Sequence, residues 1–218
     1  MSPTEENYLK TLFYLENREG EASVNELSKA LDIKMSTVNS MMKKFAEKEL
    51  VHYESYKPLK LTSKGKQKAA LILRKHRLTE MFLYEKMGLG WEEVHSIAEQ
   101  IEHINSPIFF DRMDELLGHP HIDPHGSPIP DKKGNLPKMN YYKLSECIIG
   151  ETVTFSAVTN SSEDLLQFLS KRNLTLGLKL IITDIESFDG SMTISHTANN
   201  NEILSKFICD RLLVSKQT

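Results

Sequence analysis

Apolar residues recur every three to four positions over the first fifty residues or so and then, briefly, every second position, a change of period from helix to strand. Tyr8, Leu9, Leu12 and Phe13 form a stripe behind Ser2-Pro3-Thr4-Glu5, a capping box with proline at the first helical position. A helix is therefore predicted from there to about Arg18. Ser23-Val24-Asn25-Glu26 is a second capping box and opens a short helix through Leu31. After the tight connection Asp32-Ile33-Lys34-Met35, Ser36 is expected to cap a third helix carrying Val38, Met41, Met42 and Phe45 and ending near Leu50. Two short helices joined by about four residues make a helix-turn-helix. Val51 to Tyr56 then alternates as a strand, Lys57-Pro58 turns, and Leu59 to Thr62 returns, which adds a hairpin wing.

Beyond the wing the helical period resumes. A long helix is predicted from Ser63 to about Met87 with Gly88 as its stop. A second begins at Trp91 and is ended by Ser106-Pro107, and a third runs from Ile108 to Leu117 and stops at Gly118. The stretch 126–140 is rich in proline and turn formers and reads as a linker. After it, Thr152 to Val158, Lys179 to Ile185, Ser191 to Ser195 and Ile203 to Val214 read as short β-rich runs, with a short helix over Ser162 to Ser170. The pattern makes an α+β protein with boundaries at 1–72, 73–125, 126–142 and 143–218. Central helices this apolar, with no further core to cover them, are expected to pack against a second copy of the chain as a homodimer.

Composition narrows the class. With 218 residues, 39% hydrophobic and 26% charged, the chain has an ordinary globular balance. No apolar run reaches the roughly 18 residues that span a bilayer, and the first residues lack the basic and apolar segments of a signal peptide. A cytoplasmic protein with no membrane partner is expected. Cys147 and Cys209 are the two cysteines, too far apart for a Cys-x-x-Cys knuckle. The net charge of −3 conceals an asymmetry, because Lys34 to Lys75 holds 11 bases against 3 acids whereas Glu80 to His125 holds 10 acids against 2 bases. The first segment suits a polyanion and the second suits cations.

The acidic segment carries the chemistry. At about 100° per residue, Glu99, Glu102 and His103 fall within an arc of roughly 100° around His95 on one helix. Val94, Ile97, Ala98, Ile101 and Ile104 take the remaining side. His76 and Glu80 repeat the pairing one turn apart upstream. Carboxylate and imidazole without thiolate suit manganese or ferrous iron rather than structural zinc. Three readings compete with a sensing site. The pairs are surface ion pairs; or Glu92-x-x-His95 with Glu80 and Glu99 belongs to a di-metal carboxylate enzyme, which needs two Glu-x-x-His repeats where one is visible; or a winged-helix regulator answers a small organic ligand and its histidines are structural. In the basic segment, Ser36, Thr37, Asn39 and Ser40 stand where a recognition helix offers side chains to base edges, with Lys43 and Lys44 near phosphates. Lys57 and Lys60 of the wing are placed for the backbone or minor groove.

The order of capped first helix, winged helix-turn-helix, Arg74-Lys-His76-Arg-Leu-Thr-Glu80 and Val94-His95-x3-Glu99-x2-Glu102-His103 resembles the diphtheria toxin repressor and manganese transport regulator family. The resemblance covers residues 1 to about 130, and the wing phrase Leu61-Thr-Ser-Lys-Gly-Lys66 is similar to the manganese branch. It implies a metal-activated repressor that binds a palindromic operator in duplex DNA as a homodimer, is not an enzyme, and controls metal-uptake genes. One metal position is then implied from His76, Glu102 and His103 with Asn7 completing it. Glu99 stands where iron-type members have cysteine, which favours Mn(2+) over Fe(2+). Two-metal manganese regulators have an acid where this chain has Lys10, and an ammonium does not coordinate. A second position is implied from Glu80, His95, Asp123 and His125, with His119 and His121 nearby. The last part of the chain resembles the SH3-like β-barrel of the longer members, where Asn160, Glu163 or Asp164 is placed to contribute.

Overall fold

The computed structural model describes residues 1–159 and 161–216. Helix α1 (Pro3–Glu19) starts as the capping box requires: Ser2 accepts from the Glu5 amide, Glu5 returns the bond to the Ser2 amide, and Pro3 stands in the first turn. Helix α2 (Val24–Leu31) opens on the reciprocal pair Ser23 and Glu26. Helix α3 (Met35–Glu47) begins earlier than predicted. Lys34, not Ser36, is its N-cap residue, and no side chain caps it. The cause is the preceding turn, in which Asp32 takes a left-handed conformation and the Ser28 hydroxyl donates to the Ile33 carbonyl, so the chain re-enters the helix at once. Strands β1 (Val51–His52) and β2 (Lys60–Leu61) pair antiparallel in a wing shorter than the alternating run suggests.

Helix α4 (Ser63–Glu85) is the long helix. Helix α5 (Val94–Ile101) starts later than Trp91, because Glu93 folds back on Gly90 through both its amide and its carboxylate and holds 91–93 as a turn. Glu102 and His103 lie in the turn that follows α5, although the Glu102 amide still bonds to the Ala98 carbonyl as in a helix. Helix α6 (Pro107–Leu116) begins at the Ser106-Pro107 step. The C-terminal part forms strands β3 (Tyr142–Lys143) and β4 (Thr152–Val158), helix α7 (Glu163–Ser170), then β5 (Lys179–Ile185), β6 (Met192–His196), β7 (Asn199–Leu204), helix α8 (Lys206–Cys209) and β8 (Leu212–Lys216). The predicted run from Ile203 to Val214 is thus split in two. Ser205 accepts from the Ile208 amide and nucleates α8 between the strands.

Contacts divide the chain into two compact units. The first comprises 1–79, 97–121 and 129–137, and the second comprises 80–96, 122–128 and 138 onward. In the first, Leu9, Leu12, Leu27, Val38, Met42, Phe45 and Leu59 form the centre of a core that α1, α2, α3 and the wing surround. In the second, a six-stranded antiparallel sheet of order β3-β8-β4-β5-β6-β7, of the SH3-like kind, closes over Phe155, Leu166, Leu180, Ile182 and Ile194. Register shifts near Phe155, Ile182 and Ile194 mark the bulges that curve it. Among the described residues no helix is long and apolar enough to cross a membrane.

Candidate metal centre and nucleic-acid interface

In the second unit Glu80, Asp123 and His125 each offer a ligand atom within 4.8 Å of the others, and all three are buried. The loop that carries two of them is fixed by its backbone. Asp123 Oδ1 accepts from the amides of His125 at 2.8 Å and Ser127 at 2.9 Å. The Val158 amide at the end of β4 donates to the His125 carbonyl at 2.9 Å. Gly126 sits at φ +82°, and a Cβ there would lie 2.0 Å from the Ser156 carbonyl oxygen, so the loop reaches β4 only because this residue has no side chain.

The imidazole of His125 is oriented as tightly. Its Nε2 lies 2.7 Å from the carbonyl oxygen of Trp91, whose ring stacks on it at 6.3 Å. A carbonyl only accepts, so Nε2 carries the proton, and in the neutral ring Nδ1 presents its lone pair. That nitrogen is 3.9 Å from Glu80 Oε2. His95 Nδ1 stands 3.1 Å from the other oxygen of Glu80. Two carboxylates and an imidazole nitrogen gathered this closely form an oxygen and nitrogen donor set of the kind a divalent cation takes. Glu163 and Asp164 are exposed in the first turn of α7, and Asn160 lies outside the described residues.

The first unit gathers the other ligand candidates around a different cation. Lys10 of α1 is buried, and its Nζ donates to Glu99 Oε1 at 2.6 Å and to Glu102 Oε1 and Oε2 at 2.7 and 2.9 Å. His76 Nδ1 is 2.6 Å from Glu102 Oε2. Burial pushes the Glu102 carboxyl up, but the His76 hydrogen bond and the Lys10 charge outweigh it and hold the group below the usual carboxylate range. His103 Nδ1 turns to Glu6 at 2.7 Å, with Nε2 3.7 Å from Glu102 Oε1. Asn7 Oδ1 is buried without a hydrogen-bond partner. A divalent ion does not fit where the ammonium stands. His119 pairs with Asp114, which also holds Arg74.

The candidate nucleic-acid face is open in most of its parts. Ser36, Thr37, Ser40, Lys43 and Lys44 of α3 are exposed, as are Lys57 and Lys60 of the wing. Asn39 is half-buried and accepts from the Tyr53 hydroxyl at 3.2 Å. Lys44 and Lys48 both reach Glu5, at 3.0 and 2.7 Å.

Residues 1–59 match the family model for the iron dependent repressor N-terminal DNA binding domain, and residues 62–131 match that for the iron dependent repressor metal binding and dimerisation domain. The chain belongs to the iron-dependent repressor family. This repressor-family chain is 35% identical over 127 residues to the iron-dependent repressor IdeR of Mycobacterium tuberculosis, a match covering 58% of the chain and 55% of IdeR. It therefore spans about half the length of that relative. With the diphtheria toxin repressor of Corynebacterium glutamicum it shares 26% identity over 212 residues, covering 92% and 91% of the two chains. A solved manganese-dependent transcriptional repressor in complex with manganese superposes with a TM-score of 0.88 at 28% identity, covering 98% of this chain and all of the other.

Three contributors to these clusters, Glu6, Trp91 and Gly126, and the placement of Lys10 were not read from the sequence. The Trp91 carbonyl and the Gly126 backbone act without side-chain chemistry and leave no donor signal in the sequence. Glu6 and the placement of Lys10 were not legible, because at about 100° per residue both fall on the stripe of α1 that also carries the exposed Tyr14 and Asn17, and periodicity alone points them to solvent.

Proposed function

We propose that the protein is a metal-responsive transcriptional repressor that binds a palindromic operator as a homodimer in the cytoplasm, with Mn(2+), or alternatively Fe(2+), as its signal. Glu80, Asp123 and His125 are the ligands in this reading, with His95 beside them. The observation that carries it is the buried cluster itself, in which the Trp91 carbonyl fixes the His125 tautomer so that Nδ1 faces a carboxylate. Glu80 and Asp123 would offer carboxylate oxygens and His125 its Nδ1 to the ion, which would add positive charge to this buried cluster. The residues do the rest: Glu80 ties α4 to the 123–126 loop, and the loop is pinned to β4. Ser36, Thr37, Asn39 and Ser40 read base edges while Lys43, Lys44, Lys57 and Lys60 meet phosphates. Chain division at 1–72, 73–125, 126–142 and 143–218 assigns these tasks to a DNA-binding, a helical and a sheet domain. The protein is a regulator in this reading, not an enzyme, and metal-uptake genes are its targets.

A DNA-binding titration at fixed salt on a palindromic operator, run with Mn(2+), Fe(2+), Zn(2+) or chelator, tests the proposal. Affinity is expected to rise with Mn(2+) or Fe(2+) by about 5- to 150-fold, the usual range of a coupling between two sites. The His125→Ala variant is expected to keep its helical content and lose that rise. Equal binding after chelation overturns the reading.

A further inference from the structure

We propose that Lys10 is a resident cation, whose ammonium takes the place of a divalent ion in the cage of His76, Glu99 and Glu102. The proposal rests on geometry. The ammonium has three N–H donors and no lone pair, and three carboxylate oxygens stand 2.6, 2.7 and 2.9 Å from it. Its hydrogen-bonding capacity is filled by the two residues that a metal at this position would need. At 5% exposure Lys10 is not a surface side chain that swings aside, and Glu102 is fully buried. An ion placed there would expel a buried charge or share a cavity with one of its own sign, and both are strongly unfavourable away from water. His76 completes the arrangement by taking Glu102 Oε2 at 2.6 Å.

The consequence is a division of labour. Helix α1 is tied to Glu99 and to the turn after α5 with or without metal. On the reading given above, the metal response then belongs to Glu80, Asp123 and His125, and the chain loads one ion fewer than its nine candidate ligands suggest.

The test is the Mn(2+) bound per full-length chain, measured by equilibrium dialysis and elemental analysis with the metal alone as probe. Both Lys10→Glu and Lys10→Met are expected to bind one more ion than the unaltered protein, because each removes the ammonium from Glu99 and Glu102. The Met variant is uncharged and close to lysine in length, so it serves if the Glu variant folds only with metal. Thermal unfolding of metal-free Lys10→Met is expected to shift to lower temperature and to be raised by Mn(2+) more than that of the unaltered protein. A count that does not rise in either folded variant overturns the proposal. So does a Glu102→Gln variant that binds one ion fewer than the unaltered protein, since metal would then be displacing Lys10. An Asp123→Ala, His125→Ala double variant separates the two readings. If its count equals that of the unaltered protein while Lys10→Met still gains an ion, the proposed sensing site fails and the resident cation stands.

Discussion

Glu5 shows how much one carboxylate can organise. It caps α1 through Ser2 and receives Lys48 and Lys44, and those hydrogen bonds, Lys48 first, lower its pKa from 4.5 to about 2. A carboxyl with a depressed folded pKa stabilises the fold above its unfolded value, and that contribution is lost as pH falls through the folded one. The unaltered protein is therefore expected to be more stable than Glu5→Gln above pH 4.5, with the difference shrinking as pH falls toward 2. Unfolding midpoints measured across that range check this. Lys44, nominated for a phosphate, must leave or share Glu5 to reach DNA, whereas the sequence pattern could say only that it lies beside Lys43. Lys10 is the same lesson with greater effect: the sequence excluded it as a ligand, but only the structure put it where a ligand's ion would be.

At the scale of elements, local chemistry was legible wherever the interacting groups are close in sequence. Both capping boxes, the proline at the start of α1, the turn at Gly118 and strands β4 and β5 are where the pattern places them. Errors fall where a neighbouring turn overrides the pattern, as at Lys34 before α3 and Ser205 before α8. The 123–126 loop is the element on which the proposed site depends, and Gly126 is its weakest point for substitution. Gly126→Ala is expected to cost about 1–3 kcal/mol through its left-handed backbone and to weaken Mn(2+) binding, because the added carbon meets β4. Gly20→Ala is the control, at the same φ of +82° but with nothing within 4 Å. It is expected to lower the unfolding midpoint while leaving metal affinity unchanged, and isothermal titration separates the two effects.

At the scale of the whole molecule, α6 leaves Ile108 and Leu116 more than 60% exposed within the segment matching a dimerisation domain. Exposed aliphatic side chains of this size are expected to be covered by a second copy. Leu116→Glu should shift the sedimentation coefficient from dimer to monomer at micromolar concentration, and an unchanged value would place the dimer contact elsewhere.

The sequence by itself determined what depends on spacing along one chain segment: the helix-turn-helix and wing, the apolar faces of the central helices, the opposed basic and acidic segments, and the types of ligand available. Tertiary structure decided which of those ligands meet. Asn7 and Lys10 are separated from Glu99 and Glu102 by about ninety residues, and helical periodicity carries no information over that distance. It places His76 and Glu80 on one stripe equally well, yet the partner each one receives depends on packing. Packing gives Glu99 and Glu102 a buried ammonium and brings Glu80 and Asp123 together beside His125. A buried charge is costly unless it is paired, and which side chains come together to meet that cost is decided by contacts between residues far apart in the chain, which local spacing does not encode.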